Sequence, residues 1–359
     1  MPAEGLALSE VEGAACVPCA ALSRAAVSTG GAGPENRRDF RYDTITHMNT
    51  KVLVTGGAGY LGSVLVGHLL QRGYQVTVLD NLLYGHASLL GYCRDARFEF
   101  VRGDARDERV LRDLLPKHDV LIPLAAIVGM KACDRDPFMA RSVNLDAIVL
   151  LNRLRDPGQP VMMPCTNSGY GTQSGDLYCT EQTPLVPISL YGVTKVAAES
   201  ELLSSQNALS LRLATVFGPS PRLRLDLLVN DFTYRAVTDG FLVIYEKDFK
   251  RNYVHVDDVA ACFCYCLEHF DAMKNEAYNF GLNDANLSKA ELAASIKQYV
   301  PSLLIHFAEV GSDPDKRNYI VSNDKINRQG IRAEVSLETG IQQLIKAYRL
   351  LPRAPFRNA

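Results

Sequence analysis

The stretch KVLVTGGAGYLG at residues 51–62 decides the fold of this chain. Apolar-leaning residues run to Thr55, glycines follow at Gly56, Gly59 and Gly62, and an apolar helical pattern begins behind them. This order predicts a strand, a tight turn and a helix. In such a turn the first glycine permits the bend, the second lets a pyrophosphate approach the backbone, and the third lets helix and strand pack closely. The helix N-terminus then offers unpaired N–H groups to phosphate oxygens.

An acidic residue follows the second predicted strand. That strand, QVTVL at 75–79, ends immediately before Asp80. A carboxylate at this edge accepts hydrogen bonds from a ribose 2′-OH and repels a 2′-phosphate. We therefore predict a dinucleotide site that takes NAD rather than NADP.

Composition excludes several classes of protein. The 359 residues carry a net charge of −2, which gives no reason to expect nucleic acid or an acidic membrane as a partner. No apolar run approaches the length of a membrane span. The nine cysteines lack zinc-ligand spacing, so we predict reduced thiols in a cytoplasmic protein without a bound metal.

The first 47 residues differ from the rest of the chain. They are rich in Ala, Gly and Ser and lack apolar periodicity, so we predict a disordered extension with folding beginning near Met48. A targeting peptide is the alternative, although early glutamates argue against a transit peptide and no apolar core of secretory type is present. The spacing of Cys16 and Cys19, with no second pair, does not indicate a metal or redox site.

From residue 48 strand and helix patterns alternate, which predicts an α/β fold with a Rossmann-type, doubly wound parallel sheet. Further strands are expected at 98–101, 119–124 and 161–164, and helices at 62–72, 107–115 and 137–154. Asp104 follows the third strand at the carboxyl edge, where open sheets bind ligands. Its position predicts either a hydrogen bond to an adenine amine or an ordinary turn former.

Tyr191 and Lys195 lie four residues apart in a predicted helix, SLYGVTKVAAESELL, and therefore share one face. An ammonium group beside a phenol favours the phenolate and typically lowers the phenol pKa by about 1 to 3 units. Such pairs are commonplace on helix surfaces. Here the pair follows a dinucleotide turn and a hydroxyl-rich loop, CTNSGYG at 165–171, and it predicts a tyrosine that acts as a general base near neutral pH.

Nine short motifs together resemble the extended short-chain dehydrogenase/reductase superfamily, within its NAD-dependent nucleotide-sugar epimerase/dehydratase family. They are TGGAGYLG at 55–62, LDN at 79–81, GDAR at 103–106, PLAA at 123–126, VN at 143–144, TNSGYG at 166–171, YGVTK at 191–195, LRLATVFGP at 211–219 and RNYVHVDDVA at 251–260. The resemblance covers residues 51–350. It implies NAD as cofactor, a nucleotide-diphosphate sugar as substrate, and a homodimer formed through the helices at 137–154 and 191–206.

The resemblance also implies roles for individual residues. Tyr191 and Lys195 match the catalytic pair, and Thr166 matches the residue that orients the sugar hydroxyl. Besides Tyr191 and Lys195, the implied cofactor-binding residues are Gly56, Gly59, Tyr60, Leu61, Asp80, Asn81, Asp104, Ala105, Leu124, Ala125 and Ala126. The implied substrate-binding residues are Val128, Asn167, Ser168, Asn230, Arg251 and Arg317.

In the implied reaction Tyr191 takes a proton from a sugar hydroxyl, commonly at C4, while hydride passes to NAD⁺. Return of the hydride after rotation of the keto sugar gives an epimer. Dehydratases of this family place an acid pair directly after the active-site threonine, and the decarboxylases usually have a glutamate at the second of these positions. This chain has Asn167 and Ser168 there, so we favour an epimerase.

Three alternatives to the epimerase stay open. One is an NAD(P)H-dependent nucleotide keto-sugar reductase, which would use the same catalytic residues. Another is a dehydratase or decarboxylase that recruits Cys133 or Cys165 as acid or base, although buried structural cysteines are the simpler interpretation of both. The last is a cofactor-sensing binding protein, against which the retention of Tyr191 and Lys195 argues.

A smaller, interleaved substrate-binding lobe is expected from 216–240 and 285–350. The Rossmann domain would comprise 48–215, with 241–284 returning to it. Arg222 and Arg224 join Arg251 and Arg317 as candidates for a diphosphate, because the guanidinium fork matches phosphate oxygens. A solvated surface charge is the alternative for each, and His255 is interpreted as a structural, hydrogen-bonding histidine.

Overall fold

The central element of the structure is a seven-stranded sheet in which every neighbouring pair of strands is parallel. The computed structural model describes residues 49–85, 87–172, 178–309 and 318–351. The predicted extension at 1–47, with Cys16 and Cys19, and the predicted site residue Arg317 lie outside the described residues.

The described elements alternate along the chain as the sequence predicts. The strands are β1 (Lys51–Thr55), β2 (Gln75–Asp80), β3 (Phe98–Arg102), β4 (Val120–Pro123), β5 (Val161–Thr166), β6 (Tyr178–Cys179), β7 (Ala208–Leu213), β8 (Thr215–Phe217), β9 (Phe241–Ile244), β10 (Lys250–His255), β11 (Glu276–Phe280), β12 (Asn286–Ser288), β13 (Leu304–Phe307) and β14 (Ile320–Val321). The α-helices are α1 (Gly62–Gln71), α2 (Glu108–Leu114), α3 (Met130–Arg135), α4 (Pro137–Arg141), α5 (Ala147–Leu154), α6 (Leu190–Leu203), α7 (Leu228–Thr238), α8 (Val256–Glu268), α9 (Phe270–Met273), α10 (Lys289–Tyr299), α11 (Asp324–Arg328) and α12 (Leu337–Leu350). A π-helical turn, Ser142–Asp146, joins α4 to α5.

The strand order β11-β7-β5-β4-β1-β2-β3 confirms the predicted doubly wound fold. The chain runs outward from β1 through β2 to β3 and then crosses to β4 on the other side of β1. At this reversal the connections leave β1 and β4 in opposite directions, so a crevice opens at their carboxyl ends, where such sheets bind ligands. Gly56 and Leu124 are the residues that follow these two strands directly.

Helices cover both faces of the sheet, and β1 shows how the strands serve both cores. Val52 and Val54 pack in the core that includes side chains of α1 and α8. Leu53, between them, packs in the core on the opposite face with side chains of α2, α5 and α6. Continuous apolar strands of this kind are typical of a parallel sheet that is buried on both sides.

A second hydrophobic core is formed by α7, α10 and α12 together with β9 and part of β10. β9 falls in the segment predicted to return to the Rossmann domain, but it pairs with β13, and Leu242 and Ile244 are buried in this second core. Val254, near the end of β10, packs in the sheet core. Only alternate residues of β9 are buried, a pattern that suits a strand with one covered face. The division into two lobes as a whole stays a prediction.

A buried ion pair fixes α6 to the sheet. The Arg212 guanidinium on β7 donates hydrogen bonds to both Glu199 oxygens, with the shortest N···O distance at 2.7 Å. Ser210 Oγ donates to the same carboxylate at 2.6 Å, and Arg212 Nη1 donates to Tyr170 Oη at 3.1 Å. A buried charge pair is stable only when such additional hydrogen bonds satisfy it, and here it holds the helix that carries Tyr191.

We predict that Arg212→Met lowers the free energy of unfolding by about 3 to 5 kcal/mol, because it leaves the Glu199 carboxylate buried without its cation. Replacing both partners, as Glu199→Met with Arg212→Met, is expected to recover part of that loss. Arg153→Met is the control, since Arg153 forms an exposed pair with Glu108, and exposed pairs contribute under about 1 kcal/mol. Urea unfolding followed by circular dichroism measures all three, and equal losses for Arg212→Met and Arg153→Met would contradict the prediction.

Candidate functional site

A cleft of about 740 Å³ opens at the carboxyl edge of the sheet, at the crevice between β1 and β4. It is lined by every predicted cofactor residue, by the three predicted catalytic residues, and by Val128, Ser168 and Arg251. Asn167 and Asn230 are not among the lining residues. The fold therefore brings most of the predicted site residues together, although they come from widely separated segments.

The glycine-rich turn is as tight as its sequence predicts. Gly56 has φ +74°, and a Cβ there would lie 2.5 Å from the backbone nitrogen of Ala125. At Gly62 a Cβ would lie 2.6 Å from the Cα of Gly57, so only glycine lets α1 start this close to the turn. At Gly59 the nearest atom would be the Gly56 oxygen at 3.1 Å, which leaves the backbone open to the cleft. This shape fits the approach of a pyrophosphate to the start of α1.

The Asp80 carboxylate fixes the loop geometry beside the turn. One oxygen accepts a hydrogen bond from the backbone N–H of Ala58 at 3.0 Å, and the other accepts one from Leu82 at 2.8 Å. Burial raises the pKa of Asp80, while these two hydrogen bonds and the Arg222 charge oppose the rise. Each oxygen keeps a second lone-pair direction, so the carboxylate holds the turn and still offers acceptors to the cleft.

Asp104 is a turn former that also lines the cleft. Its carboxylate accepts a hydrogen bond from the backbone N–H of Arg106 at 2.9 Å, which makes it a turn former. It also pairs with the Arg106 guanidinium at 2.7 Å, and this pairing holds the pKa of Asp104 below its ordinary value. At the same time Asp104 lines the cleft, so its contact with adenine stays a prediction.

The predicted catalytic pair lies in the first turns of α6. The Ser189 side chain caps this helix by accepting a hydrogen bond from Gly192 N–H. Tyr191 and Lys195 follow on the face that lines the cleft, and Lys195 is almost fully buried. Burial lowers the pKa of Lys195 to about 8, because an ammonium group is less stable away from water.

Thr166 ends β5 at the floor of the same cleft. Its Oγ1 accepts a hydrogen bond from the Ser168 N–H at 3.1 Å and donates to Ser168 Oγ at 2.9 Å. The hydroxyl is therefore held by its own turn. A tyrosine, a lysine and a threonine facing one cleft beside a glycine-rich turn are suited to moving a proton on a bound alcohol.

Asn144 connects α6 to the loop after β4, a role that the sequence reasoning missed. Its amide oxygen accepts a hydrogen bond from Ile127 N–H at 2.7 Å, and its amide nitrogen donates to Ile127 O at 3.0 Å and to Thr194 Oγ1 at 3.2 Å. Asn144 lies in the π-helical turn, and such turns are frequent at functional sites. The VN motif at 143–144 could have drawn attention to Asn144, but it does not indicate that Ile127 and Thr194 are its hydrogen-bond partners.

Arginines form part of the cleft wall on the side of the second core. Arg222, Arg224 and Arg251 all line the cleft and are all buried, so the surface-charge alternative is wrong for these three. Arg224 forms a two-pronged pair with Asp226, at 2.6 and 3.2 Å. Burial alone would raise the pKa of Asp226, but the Arg224 charge holds it below its ordinary value.

Two predicted substrate-binding residues are placed differently from the prediction. The Asn230 side chain is buried and holds the loop after β8, accepting from Gly218 N–H at 3.1 Å and donating to Arg224 O at 2.8 Å. Asn167, which follows the last residue of β5, is also fully buried and is not among the residues that line the cleft. Both amides are thus placed as interior residues of the turns that shape the site.

The cysteines and the histidine agree with their simpler interpretations. Burial raises the pKa of the Cys133 thiol to about 11, and burial raises that of Cys165 well above its ordinary value, so both favour the neutral thiol. His255 caps α8 by accepting a hydrogen bond from Asp257 N–H at 3.2 Å. Within the described residues no group of three or more His, Cys, Asp or Glu side chains could hold a metal ion.

The comparisons with known proteins agree with this geometry. A family model described as the NAD dependent epimerase/dehydratase family matches residues 52–281, well over half of the chain. The chain belongs to the NAD dependent epimerase/dehydratase family. A curated relative, the low-salt glycan biosynthesis protein Agl12 of Haloferax volcanii, is 30% identical over 310 residues, which are 83% of this chain and 98% of that protein.

Two solved structures show the same fold as this family member. The UDP-glucose 4-epimerase of Thermus thermophilus in complex with NAD has a TM-score of 0.72 at 26% identity, covering 84% of this chain and 99% of that one. DesIV of Streptomyces venezuelae, a dTDP-glucose 4,6-dehydratase with NAD and TYD bound, has a TM-score of 0.74 at 26% identity, covering 84% and 97%.

Membership of this family makes the protein an enzyme with NAD as its cofactor. The residues present fit that cofactor: Gly56 and Gly62 leave a cradle that a Cβ would fill, and Asp80 presents a carboxylate beside it. No helix in the described ranges is long and apolar enough to cross a membrane.

We predict that Gly56→Ala weakens NAD binding by about tenfold or more, because the new Cβ would overlap Ala125 in a backbone conformation that alanine disfavours. NAD released from heat-denatured protein measures the effect. Gly91→Ala is the matched control, since a Cβ at Gly91 meets no atom within 4 Å and the residue has no positive φ. A Gly56→Ala protein that keeps one NAD per chain would contradict this account of the turn.

Proposed function

We propose that this protein is an NAD-dependent nucleotide-sugar epimerase that inverts a sugar carbon, with C4 the expected position. The observation that carries the proposal is the convergence of Thr166, Tyr191 and Lys195 on a cleft that holds the glycine-rich turn at one end and buried arginines on its wall. Among these arginines, Arg251 suits the diphosphate of a nucleotide sugar. The name of the similar Thermus thermophilus enzyme, a UDP-glucose 4-epimerase, supports the same reaction class.

The chain's own residues would act on the sugar hydroxyl. Thr166 orients the hydroxyl, and Tyr191, as the phenolate, accepts its proton and later returns it. Lys195 favours the phenolate by its charge, which is more effective in this buried setting than in water. When bound, NAD supplies an acceptor and donor of hydride. A proton transfer of this kind contributes on the order of 10² to 10⁴ in rate.

The residues after Thr166 favour epimerisation over elimination. Elimination of water needs one group to remove a proton from carbon and another to protonate the leaving hydroxyl. Asn167 does not line the cleft, and Ser168 Oγ is hydrogen-bonded to Thr166. Asp226 does line the cleft, but both of its oxygens accept hydrogen bonds from Arg224, and as an ionised group it has no proton to give to a leaving hydroxyl. A reaction that only moves hydride away and back requires none of these groups.

The reductase is the second candidate, because it would use the same three catalytic residues. A reductase must exchange its cofactor in every turnover, whereas an epimerase regenerates NAD⁺ in place. Tightly bound NAD in the purified protein would therefore favour the epimerase.

The predicted cytoplasmic location stays a prediction.

The predicted homodimer is part of this proposal. Apolar side chains on the helices expected to pair are open to solvent: Phe138 on α4 is 81% exposed, Val149 on α5 39% and Val193 on α6 48%. Both α4 and α5 contact α6, and contiguous exposed apolar surface is typical of protein interfaces. Pairing of α4, α5 and α6 with a second copy would cover them.

We predict that Tyr191→Phe lowers the rate of epimerisation by about 10² to 10⁴, because the ring remains and only the proton acceptor is lost. The assay incubates protein without added cofactor against UDP-, dTDP-, GDP- and CDP-sugars and follows product mass and sugar proton NMR. An isomer of unchanged mass is expected. Tyr299→Phe is the control, since Tyr299 is exposed at the end of α10. A product that has lost water or CO₂, or activity only with NADPH and a keto sugar, would overturn the epimerase.

A further inference from the structure

Hydrogen bonds join the loop after β8 to the glycine-rich turn. Ser220 Oγ donates a hydrogen bond to Tyr60 O at 2.7 Å and lies 3.0 Å from Ser63 Oγ. In the other direction, Tyr60 Oη donates to Gly218 O at 2.7 Å. The loop therefore has a fixed position above the predicted phosphate cradle, with residues from both segments exchanging hydrogen bonds.

Arg222, two residues after Ser220, is a buried cation with unsatisfied hydrogen-bond donors. It is only 2% exposed and lines the cleft. Its guanidinium carbon lies 4.2 Å from the centroid of the Tyr84 ring. Its Nε and Nη2 are buried and have no hydrogen-bond partner among the described residues. Leaving such charged donors unsatisfied costs stability, so a buried arginine of this kind indicates an absent anionic partner.

The neighbouring charged groups do not supply that partner. Arg224 is adjacent and repels Arg222, while the Asp226 carboxylate is engaged by Arg224 in a two-pronged pair. The Asp80 charge acts on Arg222, but neither Nε nor Nη2 of Arg222 is hydrogen-bonded to it. Two guanidinium groups thus share a low-dielectric pocket with carboxylates that are already hydrogen-bonded. An added anion would satisfy the free donors and offset the repulsion between the two arginines.

We propose that Arg222 binds a phosphate oxygen of the NAD diphosphate. Together with the loop after β8, which is hydrogen-bonded to the glycine-rich turn, it retains the cofactor in its site. Its neighbours place it on the cofactor side: Asp80 ends β2, Tyr84 lies in the segment that follows, and Tyr60, which accepts from Ser220, belongs to the turn. Arg251, by contrast, lies beside Tyr319, with 5.9 Å between the guanidinium carbon and the ring centroid.

This role deepens the proposed function, and it rests on the NAD site rather than on the epimerase chemistry. An epimerase regenerates its cofactor within one active site and gains from holding it through many turnovers. A cation that becomes fully hydrogen-bonded only when the diphosphate is present slows dissociation of the cofactor, because release of NAD would again leave the donors of that cation unsatisfied.

Binding measurements on full-length protein test this role without any turnover. Isothermal titration calorimetry would compare wild type, Arg222→Met and Arg222→Lys after charcoal removal of NAD, with three ligands: ADP-ribose, its 2′-phosphate derivative, and UDP. Arg235→Met is the matched control, since Arg235 also lines the cleft but pairs with Asp231. Thermal midpoints are recorded with and without ADP-ribose, and bound NAD per chain is counted after gel filtration.

For Arg222→Met we expect ADP-ribose affinity to fall about tenfold or more, a loss typical of one charge-assisted contact, while UDP affinity stays within about twofold. The ligand-free thermal midpoint should not fall, because the variant removes an unsatisfied buried charge. Arg222→Lys, which keeps the charge without the fork, should be intermediate, and it serves as the test if Arg222→Met does not fold. Bound NAD should fall below one per chain only in the Arg222 variants.

Three results would overturn the proposal. If Arg222→Met binds ADP-ribose within about twofold of wild type, Arg222 does not contact the diphosphate. A loss confined to the 2′-phosphate derivative would assign Arg222 to a ribose phosphate, and a loss confined to UDP would assign it to the substrate. If ADP-ribose binding falls as expected while no sugar is epimerised, the cofactor role stands and the epimerase does not.

Discussion

The site depends on the close approach of two backbone segments at the centre of the sheet. The turn after β1 passes so near the loop after β4 that no side-chain atom fits between Gly56 and Ala125. This contact is possible because β1 and β4 are neighbours in the sheet and their connections leave in opposite directions. It creates the crevice and brings the start of α1 to its edge, so the position of the cofactor site follows from the strand order.

Buried polar contacts hold the helix with the predicted catalytic side chains beside this crevice. Asn144 joins the loop after β4 to α6 by hydrogen bonds to Ile127 and Thr194. The Glu199–Arg212 pair fixes the same helix to β7. Tyr191 and Lys195 therefore lie on a helix held from two sides, and fixed placement of this kind is what general-base catalysis on a bound alcohol requires.

The sequence was most informative where the signal is local. The glycine turn, the acid at the end of β2 and the spacing of Tyr191 and Lys195 each follow from backbone geometry over a few residues. Local patterns could not show that Asn230 faces inward, that β9 packs in the second core, or that Asn144 occupies a π-helical turn. Those outcomes depend on partners distant in sequence: Gly218 for Asn230, β13 for β9 and Thr194 for Asn144. Arg222 was a diphosphate candidate, but only the folded structure shows that it is buried with unsatisfied donors beside Tyr84.

The most direct test of the central claim follows the hydrogen on the reacting carbon. Protein without added cofactor would be incubated in water with UDP-, dTDP-, GDP- and CDP-glucose, each deuterated at C4, and the products analysed by mass spectrometry and NMR. The account predicts one product of unchanged mass that keeps its deuterium at C4 in the inverted configuration. Deuterium lost to solvent, or moved to C6 in a product lighter by one water, would contradict it.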